Sequence, residues 1–390
     1  MGGSTRSRSR FVAVGLTLLV LVNGTNLPSP LWALYQHRFG FGPVGTTVAF
    51  ACYALALVPA VLLAGPLADC LGPRRVVAPA LLAAGLGCAV LAAARSLSWL
   101  VAGRVVQGIA VGACSGALTA SLLATQPRAD HRRAALLATV ATTAGAGAGP
   151  ILAGALTTYA PHPTSLSYLL EIALLAVIGA LGVPALPAAP TPRPRYRPRR
   201  PALPAGRVAF TTAAGYSALT WAVAYVMLAL APAYVADILH THNRLLTAGP
   251  AGLLLLTAAL TQLLLAELPP PLALRAGSCV LLVGASGLIL LGALPSTTLL
   301  LGVLVVIGIG HGLTFMAALR QATATATPGE HASVAAAFFS ITYLGGSVPV
   351  IAVGLLATAL PLTIAVELFA AVIGFLLLGV LLRNCPHGRW

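Results

Sequence analysis

Long apolar segments, each bounded by arginine, proline or glycine, follow one another along the whole chain of 390 residues. A helix crosses a bilayer with about 20 predominantly apolar residues. The segments therefore predict twelve membrane-spanning helices, called spans 1 to 12, at residues 11–35, 44–67, 76–94, 97–125, 134–158, 166–187, 207–235, 245–267, 276–294, 297–327, 331–359 and 361–383. Too little sequence remains for a separate soluble domain, and the predicted fold class is an all-α membrane protein.

The scarcity of charge points the same way. Apolar residues make up 58% of the chain and charged residues only 7%, whereas soluble domains carry about 25% charged residues. A soluble enzyme is excluded, because so few charges do not cover a water-exposed surface. The net charge of +15 does not indicate a nucleic-acid partner, since that reading requires a basic face on a folded soluble domain.

Arginine placement predicts the orientation. All 22 basic residues are arginine; with twelve alternating spans, 18 lie on the side of the chain ends, 3 on the opposite side, and Arg104 inside span 4. Cytoplasmic loops are enriched in arginine, so both termini are predicted to be cytoplasmic in the inner (plasma) membrane of a cell. The first apolar run exceeds the apolar region of a signal peptide and is expected to remain as span 1.

The chain divides at one linker. Residues 187–204 are dense in proline and arginine, which keeps a segment extended. This predicts a first half at 1–187, a linker at 188–206 and a second half at 207–390. The linker is interpreted as a solvated connection, with an arginine-rich site for anionic lipid head groups as the alternative.

The two halves also repeat. An offset of 200 residues aligns Gly108 and Gly112 with Gly308 and Gly312, and it aligns Gly145 with Gly345 without a gap. Two six-span pseudo-repeats in parallel orientation are typical of a transporter class whose site lies between the halves.

The loop after span 2 reads Gly65-Pro-Leu-Ala-Asp69-Cys-Leu-Gly72-Pro-Arg74-Arg75. It resembles the signature loop of the major facilitator superfamily, with Cys70 and Pro73 as departures. The resemblance extends over essentially the whole chain and implies the twelve-helix facilitator fold. It also implies that Gly65, Asp69, Gly72, Arg74 and Arg75 latch the halves together on the inner side.

Two further motifs resemble those of the proton-coupled drug exporters in this family. Arg104-Val-Val-Gln107-Gly108 in span 4 resembles the motif whose arginine is implicated in proton coupling. The alternative for Arg104 is a structural residue paired with backbone carbonyls, or one that reaches outward. In span 5, Gly145, Gly149, Pro150 and Gly154 resemble the motif associated with antiporters, with a glycine-rich packing face as the alternative.

Proton coupling requires a group that gains and loses a proton. The candidates are the rare ionisable residues inside spans: Arg104, Glu171, His311 and Glu367. Glu171 and Glu367 occupy matching places in spans 6 and 12, which in this fold usually lie outside the cavity. A lone histidine such as His311 is more often a satisfied core residue.

Aromatic and amide side chains on several spans are candidates for the wall of a substrate cavity. They are Asn26, Trp32, Tyr35, Tyr53, Gln107, Trp221, Tyr225 and Tyr343. The alternative for Trp32 and Tyr35 is an aromatic belt at the outer interface. Few acidic groups face this predicted cavity, so a strongly cationic substrate lacks a counter-ion.

These features predict a monomeric secondary active transporter that exports hydrophobic or amphipathic small molecules in exchange for protons by alternating access. The alternative is an importer of a sugar or metabolite. A polytopic membrane enzyme requires a catalytic cluster near one membrane face, and a channel requires a filter-like repeat; the sequence contains neither. The six cysteines form no CxxC pair, so no metal, disulfide framework or cofactor is expected.

Overall fold

The computed structural model describes residues 2–127, 130–188, 206–240, 243–324 and 331–383. These residues form helices and turns with no β-strand among them, and twelve helical segments are long and apolar enough to cross a membrane. Spans 2 to 12 are Pro43–Leu71, Pro73–Ala92, Leu97–Thr125, His131–Tyr159, Leu166–Ala185, Arg207–Leu239, Arg244–Leu264, Pro270–Ala293, Thr297–Ala324, His331–Leu356 and Leu362–Arg383. The fold class predicted from sequence is confirmed. Most of the predicted linker lies outside the described residues.

Span 1 is not the single helix predicted at 11–35. It consists of a helix Gly2–Asn26, a short 3₁₀ turn Ser29–Leu31 and a second helix Trp32–Phe39. Pro28 and Pro30 cause the break, because proline has no backbone N–H and clashes with the preceding helical turn. Span 9 begins at Pro270, six residues before the predicted start, because proline fits the first turn of a helix.

The packing of the first half recurs in the second. Spans 2 and 4, 3 and 4, 1 and 5, and 3 and 6 pack together in the first half. In the second half, spans 8 and 10, 9 and 10, 7 and 11, and 9 and 12 pack in the same pairs, six spans later. This recurrence is the structural form of the sequence repeat at an offset of 200 residues.

The halves meet along two seams, one between spans 5 and 8 and the other between spans 2 and 11. In the first seam Gly147 lies against Gly252, and a Cβ on Gly147 would lie 2.9 Å from the Gly252 carbonyl oxygen. In the same seam the Gln262 amide donates a 3.2 Å hydrogen bond to the Thr143 hydroxyl. Small residues allow this close backbone approach where no hydrophobic force pulls helices together in lipid.

The loop between spans 2 and 3 is a tight turn at Gly72, whose φ of +85° suits glycine. Arg74 donates hydrogen bonds to the carbonyl oxygens of Pro184 (2.8 Å) and Leu186 (2.9 Å), at the end of span 6. These contacts join spans of the same half. The side chain of Asp69 lies outside the described residues, so the latch predicted there stays a prediction.

Gly108 tests the close packing of spans 2 and 4. A Cβ at Gly108 would overlap the carbonyl oxygen of Tyr53, whereas a Cβ at Gly116 in the same helix meets nothing within 4 Å. We expect Gly108→Val to destabilise the protein by about 1–3 kcal/mol through overpacking, and Gly116→Val to change stability little. Thermal unfolding of the detergent-purified variants measures both. Equal losses of stability would contradict this packing.

Candidate functional site

The broken end of span 1 is held by two motif residues of span 4. Helix Gly2–Asn26 ends without intrahelical donors for the carbonyls of its last turn, and Pro28 has no N–H to give to Gly24. The Arg104 guanidinium donates to the Thr25 carbonyl (2.6 Å) and the Gln107 amide donates to the Gly24 carbonyl (3.1 Å). Arg104 also donates to Gln107 Oε1 at 3.1 Å. The intramembrane arginine therefore caps a helix C-terminus, where a cation is favoured.

Aromatic rings of span 2 cover the same guanidinium. Its central carbon lies 4.1 Å from the ring centre of Tyr53 and 5.7 Å from that of Phe50. Arg104 is only 1% exposed, and its Nε has no hydrogen-bond partner among the described residues. The ion pairs between described side chains join Arg132 with Glu267 and Arg133 with Asp130, so none of them neutralises Arg104.

Glu171 of span 6 holds the same turn of span 1. Its Oε2 accepts a 2.7 Å hydrogen bond from the Asn23 amide, and its side chain packs on Gly24. Glu171 is fully buried, and its Oε1 has no partner in the described part of the chain. The matching residue Glu367 is only half-buried and packs against Gly292 of span 9. The two glutamates therefore occupy matching positions in the sequence repeat but have different surroundings.

The second half contributes aromatic rings to the centre of the protein. The ring centre of Trp221 in span 7 lies 5.0 Å from that of His311 and 5.3 Å from those of Tyr225 and Phe315. Tyr225 in turn lies 5.4 Å from Phe50 of the first half. A continuous row of rings thus joins the surroundings of Arg104 to His311.

His311 has one hydrogen-bonded and one free ring nitrogen. Nδ1 lies 3.2 Å from the Thr220 carbonyl oxygen, so the neutral ring donates from Nδ1 and leaves Nε2 as an acceptor. Nε2, and the indole Nε1 of Trp221, have no hydrogen-bond partner among the described residues, although both are buried. Buried polar groups are normally hydrogen-bonded. These two atoms are therefore candidates for hydrogen bonds to a bound molecule.

A hydrogen bond joins the two halves on the predicted outer side. Pro232 in span 7 has no N–H for the Leu228 carbonyl, four residues earlier. The Ser29 hydroxyl, in the break of span 1, donates to that carbonyl oxygen. A small cavity of about 90 Å³, lined partly by Trp32 and Pro232, lies beside this contact. One proline break therefore supplies the donor and a second proline supplies the acceptor.

The predicted inner side also carries polar contacts between the halves. Arg132, at the start of span 5, forms a 2.8 Å ion pair with Glu267 and a 2.7 Å hydrogen bond with the Ala266 carbonyl. Arg320 of span 10 donates to the same carbonyl at 2.8 Å. Two arginines, one from each half, thus cap the chain just after span 8.

The predicted cavity residues separate into two groups. Tyr53, Gln107, Trp221, Tyr225 and Tyr343 lie in the central region with Arg104, and Tyr343 is within hydrogen-bonding reach of Ser115 in span 4. The remaining three, Asn26, Trp32 and Tyr35, are buried along the broken span 1, so they do not form an exposed aromatic belt.

Tyr35 belongs to the packing of the first half. It stacks on Phe39 at 5.7 Å and forms a 3.2 Å hydrogen bond with the Tyr168 hydroxyl of span 6. Tyr35 therefore joins the second helix of span 1 to span 6.

The glycines of span 5 touch both halves. A Cβ on Gly149 would lie 2.6 Å from the Asn23 carbonyl oxygen, and one on Gly145 would overlap the Leu19 carbonyl, both in span 1. Gly154 lies instead against the start of span 8 at Arg244. Pro150 is inside the same helix. The motif is at least a packing face, and it joins the broken span to the seam between the halves.

Sequence reasoning missed several residues of this region. The sequence did not predict Asn23, Thr25 or Ser29 as site residues. It also did not predict a role for Pro232 or for the Leu228 carbonyl. Each proline inside a span leaves the carbonyl four residues earlier without its helical donor, and this signal would have identified Gly24 and Leu228 as carbonyls that need one. It would not have supplied the partners, because they lie on other spans.

A larger groove of about 710 Å³ between spans 7, 11 and 12 does not have the composition of a specific site. Its walls are apolar and include Leu219, Ile341, Phe369 and Leu376. Specific small-molecule sites contain a few placed polar groups among apolar walls. The central region around Arg104, Trp221 and His311 has such groups and is therefore the candidate site.

Comparison with known proteins gives a consistent result. A family profile described as Major Facilitator Superfamily matches residues 14–350. The fold is similar to the crystal structure of the human organic anion transporter MFSD10 (TETRAN), with a TM-score of 0.74, 17% identity, and coverage of 96% of this chain and 99% of that chain. It is also similar to a mutant of the nucleoside transporter NupG, with a TM-score of 0.70, 15% identity and the same coverage. No curated protein matches the sequence significantly.

The outer contact predicts a double-mutant cycle. Ser29→Ala leaves the Leu228 carbonyl buried without a donor, which should cost about 1–3 kcal/mol of stability. Pro232→Ala restores an N–H within span 7, so in that background Ser29→Ala should cost less than about 0.5 kcal/mol. Thermal or denaturant unfolding in detergent measures the four proteins.

Ser286 supplies the control for this cycle. Its hydroxyl bonds the Leu282 carbonyl of its own helix at 3.0 Å, so the effect of Ser286→Ala should be the same in both backgrounds. Strictly additive effects of Ser29→Ala and Pro232→Ala would show that the two residues do not share the carbonyl.

Proposed function

The chain belongs to the major facilitator superfamily, and from that premise we propose that it exports hydrophobic or amphipathic small molecules in exchange for protons. It is a multi-pass membrane protein and a secondary transporter, not an enzyme. The two similar structures, of an organic anion transporter and a nucleoside transporter, share its fold but too little sequence to assign a substrate. We place it as a monomer in the plasma membrane, with both termini cytoplasmic.

The observation that carries the proposal is the convergence of ionisable groups on the last turn of the first helix of span 1. Three consecutive residues are each held from another span: Asn23 by Glu171, Gly24 by Gln107 and Thr25 by Arg104. Ser29, only four residues after Thr25, makes the outer contact with span 7. A change of charge at this turn therefore acts directly on a contact between the halves.

Glu171 is the proposed proton carrier. As a carboxylate it accepts a charge-assisted hydrogen bond from Asn23, which is stronger than the bond to a neutral acid. Protonation weakens that bond and removes a buried charge, so the two protonation states favour different positions of the broken helix. Arg104 is the positioning residue, since it holds the same turn through the Thr25 carbonyl.

Alternating access then requires the two sides to open in turn. The outer contact of Ser29 with Leu228 and the inner contacts of Arg132 with Glu267 and the Ala266 carbonyl join the two halves, so in this cycle they break in alternation. The glycines of span 5 connect span 1 to span 8, which supports the antiporter interpretation of that motif. Asp69 and its loop remain a proposed part of the inner latch.

Proteoliposomes test the exchange. Vesicles loaded with a pH-sensitive dye receive a panel of amphipathic aromatic compounds that carry a carboxylate, an amide or an amine. We expect an imposed pH gradient to drive at least one compound in the direction opposite to the protons, and a protonophore to abolish this movement. Movement in the same direction as the protons would establish an importer instead, and indifference to the gradient would contradict coupling.

The two glutamates form a matched pair for the coupling step. We expect Glu171→Gln to reduce gradient-driven transport by at least about tenfold, a loss of ~1.4 kcal/mol, while substrate exchange at equal pH persists. Glu367→Gln removes the same charge at the half-buried matching position and should leave gradient-driven transport within about twofold of wild type, under ~0.5 kcal/mol. Unchanged gradient-driven transport in Glu171→Gln would reduce Glu171 to a structural residue.

A further inference from the structure

The central region carries a positive charge that the described residues do not balance. Arg104 is buried, and no described carboxylate lies within ion-pair distance of it. The C-terminal end of the first helix of span 1 supplies only about half a negative charge. Glu171 is bound to Asn23 instead. A buried charge without a full partner is unfavourable, which favours an anionic group as the missing partner.

The second half presents unpaired hydrogen-bonding atoms, at Trp221 and His311, to the central region. Trp221 Nε1 is a buried donor without a partner among the described residues, and His311 Nε2 is a buried acceptor in the same condition. Between these atoms and Arg104 lies the row of rings formed by Phe50, Tyr225 and Trp221, with centre-to-centre spacings of 5.3 and 5.4 Å. The rings already pack edge to face on one another, and their remaining faces and edges favour an aromatic ligand, because aromatic rings pair edge to face or offset-stacked.

We propose that the substrate is an amphipathic aromatic monoanion, with its carboxylate at Arg104, its ring system among the aromatic rings, and a distal hydroxyl or N–H group at His311. This assignment rests on the proposed transport function and names the substrate class of the same site. The carboxylate accepts hydrogen bonds from the guanidinium, and Trp221 Nε1 donates to an acceptor on the ring substituent. A cation at Arg104 would meet a like charge, and a neutral group would leave that charge unbalanced.

A matched ligand series measures the charge preference in the wild-type protein. The compounds are 6-hydroxy-2-naphthoate, the corresponding amide, the corresponding aminomethyl compound and 2-naphthoate, with binding to the detergent-purified protein followed by calorimetry. We expect the hydroxy acid to bind at least about tenfold tighter than the amide and the amine, because only a carboxylate neutralises the buried charge of Arg104. Removal of the distal hydroxyl should weaken binding by about 3–10-fold.

Variants assign the two ends of the ligand. Arg104→Lys keeps the charge and should keep the preference for the acid over the amide, whereas Arg104→Gln should lose it. Since Arg104 also caps span 1, Arg104→Gln is interpreted only if its unfolding profile matches wild type. His311→Phe should remove the advantage of the hydroxy acid over 2-naphthoate and leave the preference for acid over amide. Equal or tighter binding of the amide or the amine by wild type, or no binding of any acid, would overturn the proposal.

Charge movement gives an independent reading that separates this inference from the proposed function. Export of a monoanion in exchange for one proton moves two elementary charges per cycle, a neutral substrate moves one, and a monovalent cation moves none. The number follows from the potassium–valinomycin potential that just stops transport at a known pH gradient. Two charges per substrate support the monoanion. One charge or none per substrate, with proton exchange intact, would overturn the proposed substrate class but not the proposed export function. Transport without proton exchange would overturn the proposed function itself.

Discussion

No water is available in the interior of a bilayer, so each backbone carbonyl that a helix leaves without a donor must find one inside the protein. This constraint organises the site. Pro28 breaks span 1 and Pro232 interrupts the hydrogen bonding of span 7, and the freed carbonyls of Gly24 and Leu228 are taken by Gln107 and Ser29. The helix ends thereby become contacts between spans, and one of them becomes a contact between halves.

The same constraint explains a cation in the membrane. Arg104 is tolerated there because the end of span 1 presents carbonyls and a negative dipole to it, and because the Tyr53 ring covers one face. Arg104 thus completes a broken helix, and no ion pair among the described side chains neutralises its charge. The alternatives weighed for Arg104 from sequence, pairing with carbonyls or a role in coupling, are compatible with each other.

The two halves have similar packing but different chemistry. The halves share their packing pattern, yet Glu171 is buried against span 1 whereas Glu367 is half-buried against span 9. The first half contributes Arg104 and Glu171 to this region, and the second contributes Trp221 and His311. Sequence identity at matching positions therefore did not predict equal surroundings, because one neighbouring helix is broken by two prolines and its counterpart is not.

The sequence alone determined the number of spans, the family and the position of the rare intramembrane charges, because bilayer thickness and the cost of buried charge act on each helix separately. The span predicted at 11–35 passed through the break at Pro28. Only the tertiary structure decided which side chains meet there, since Asn23 with Glu171, Thr25 with Arg104 and Ser29 with Leu228 lie far apart in sequence. Such contacts depend on how twelve similar apolar helices rotate and pack, and apolar surfaces in lipid leave no periodic signal that fixes those rotations.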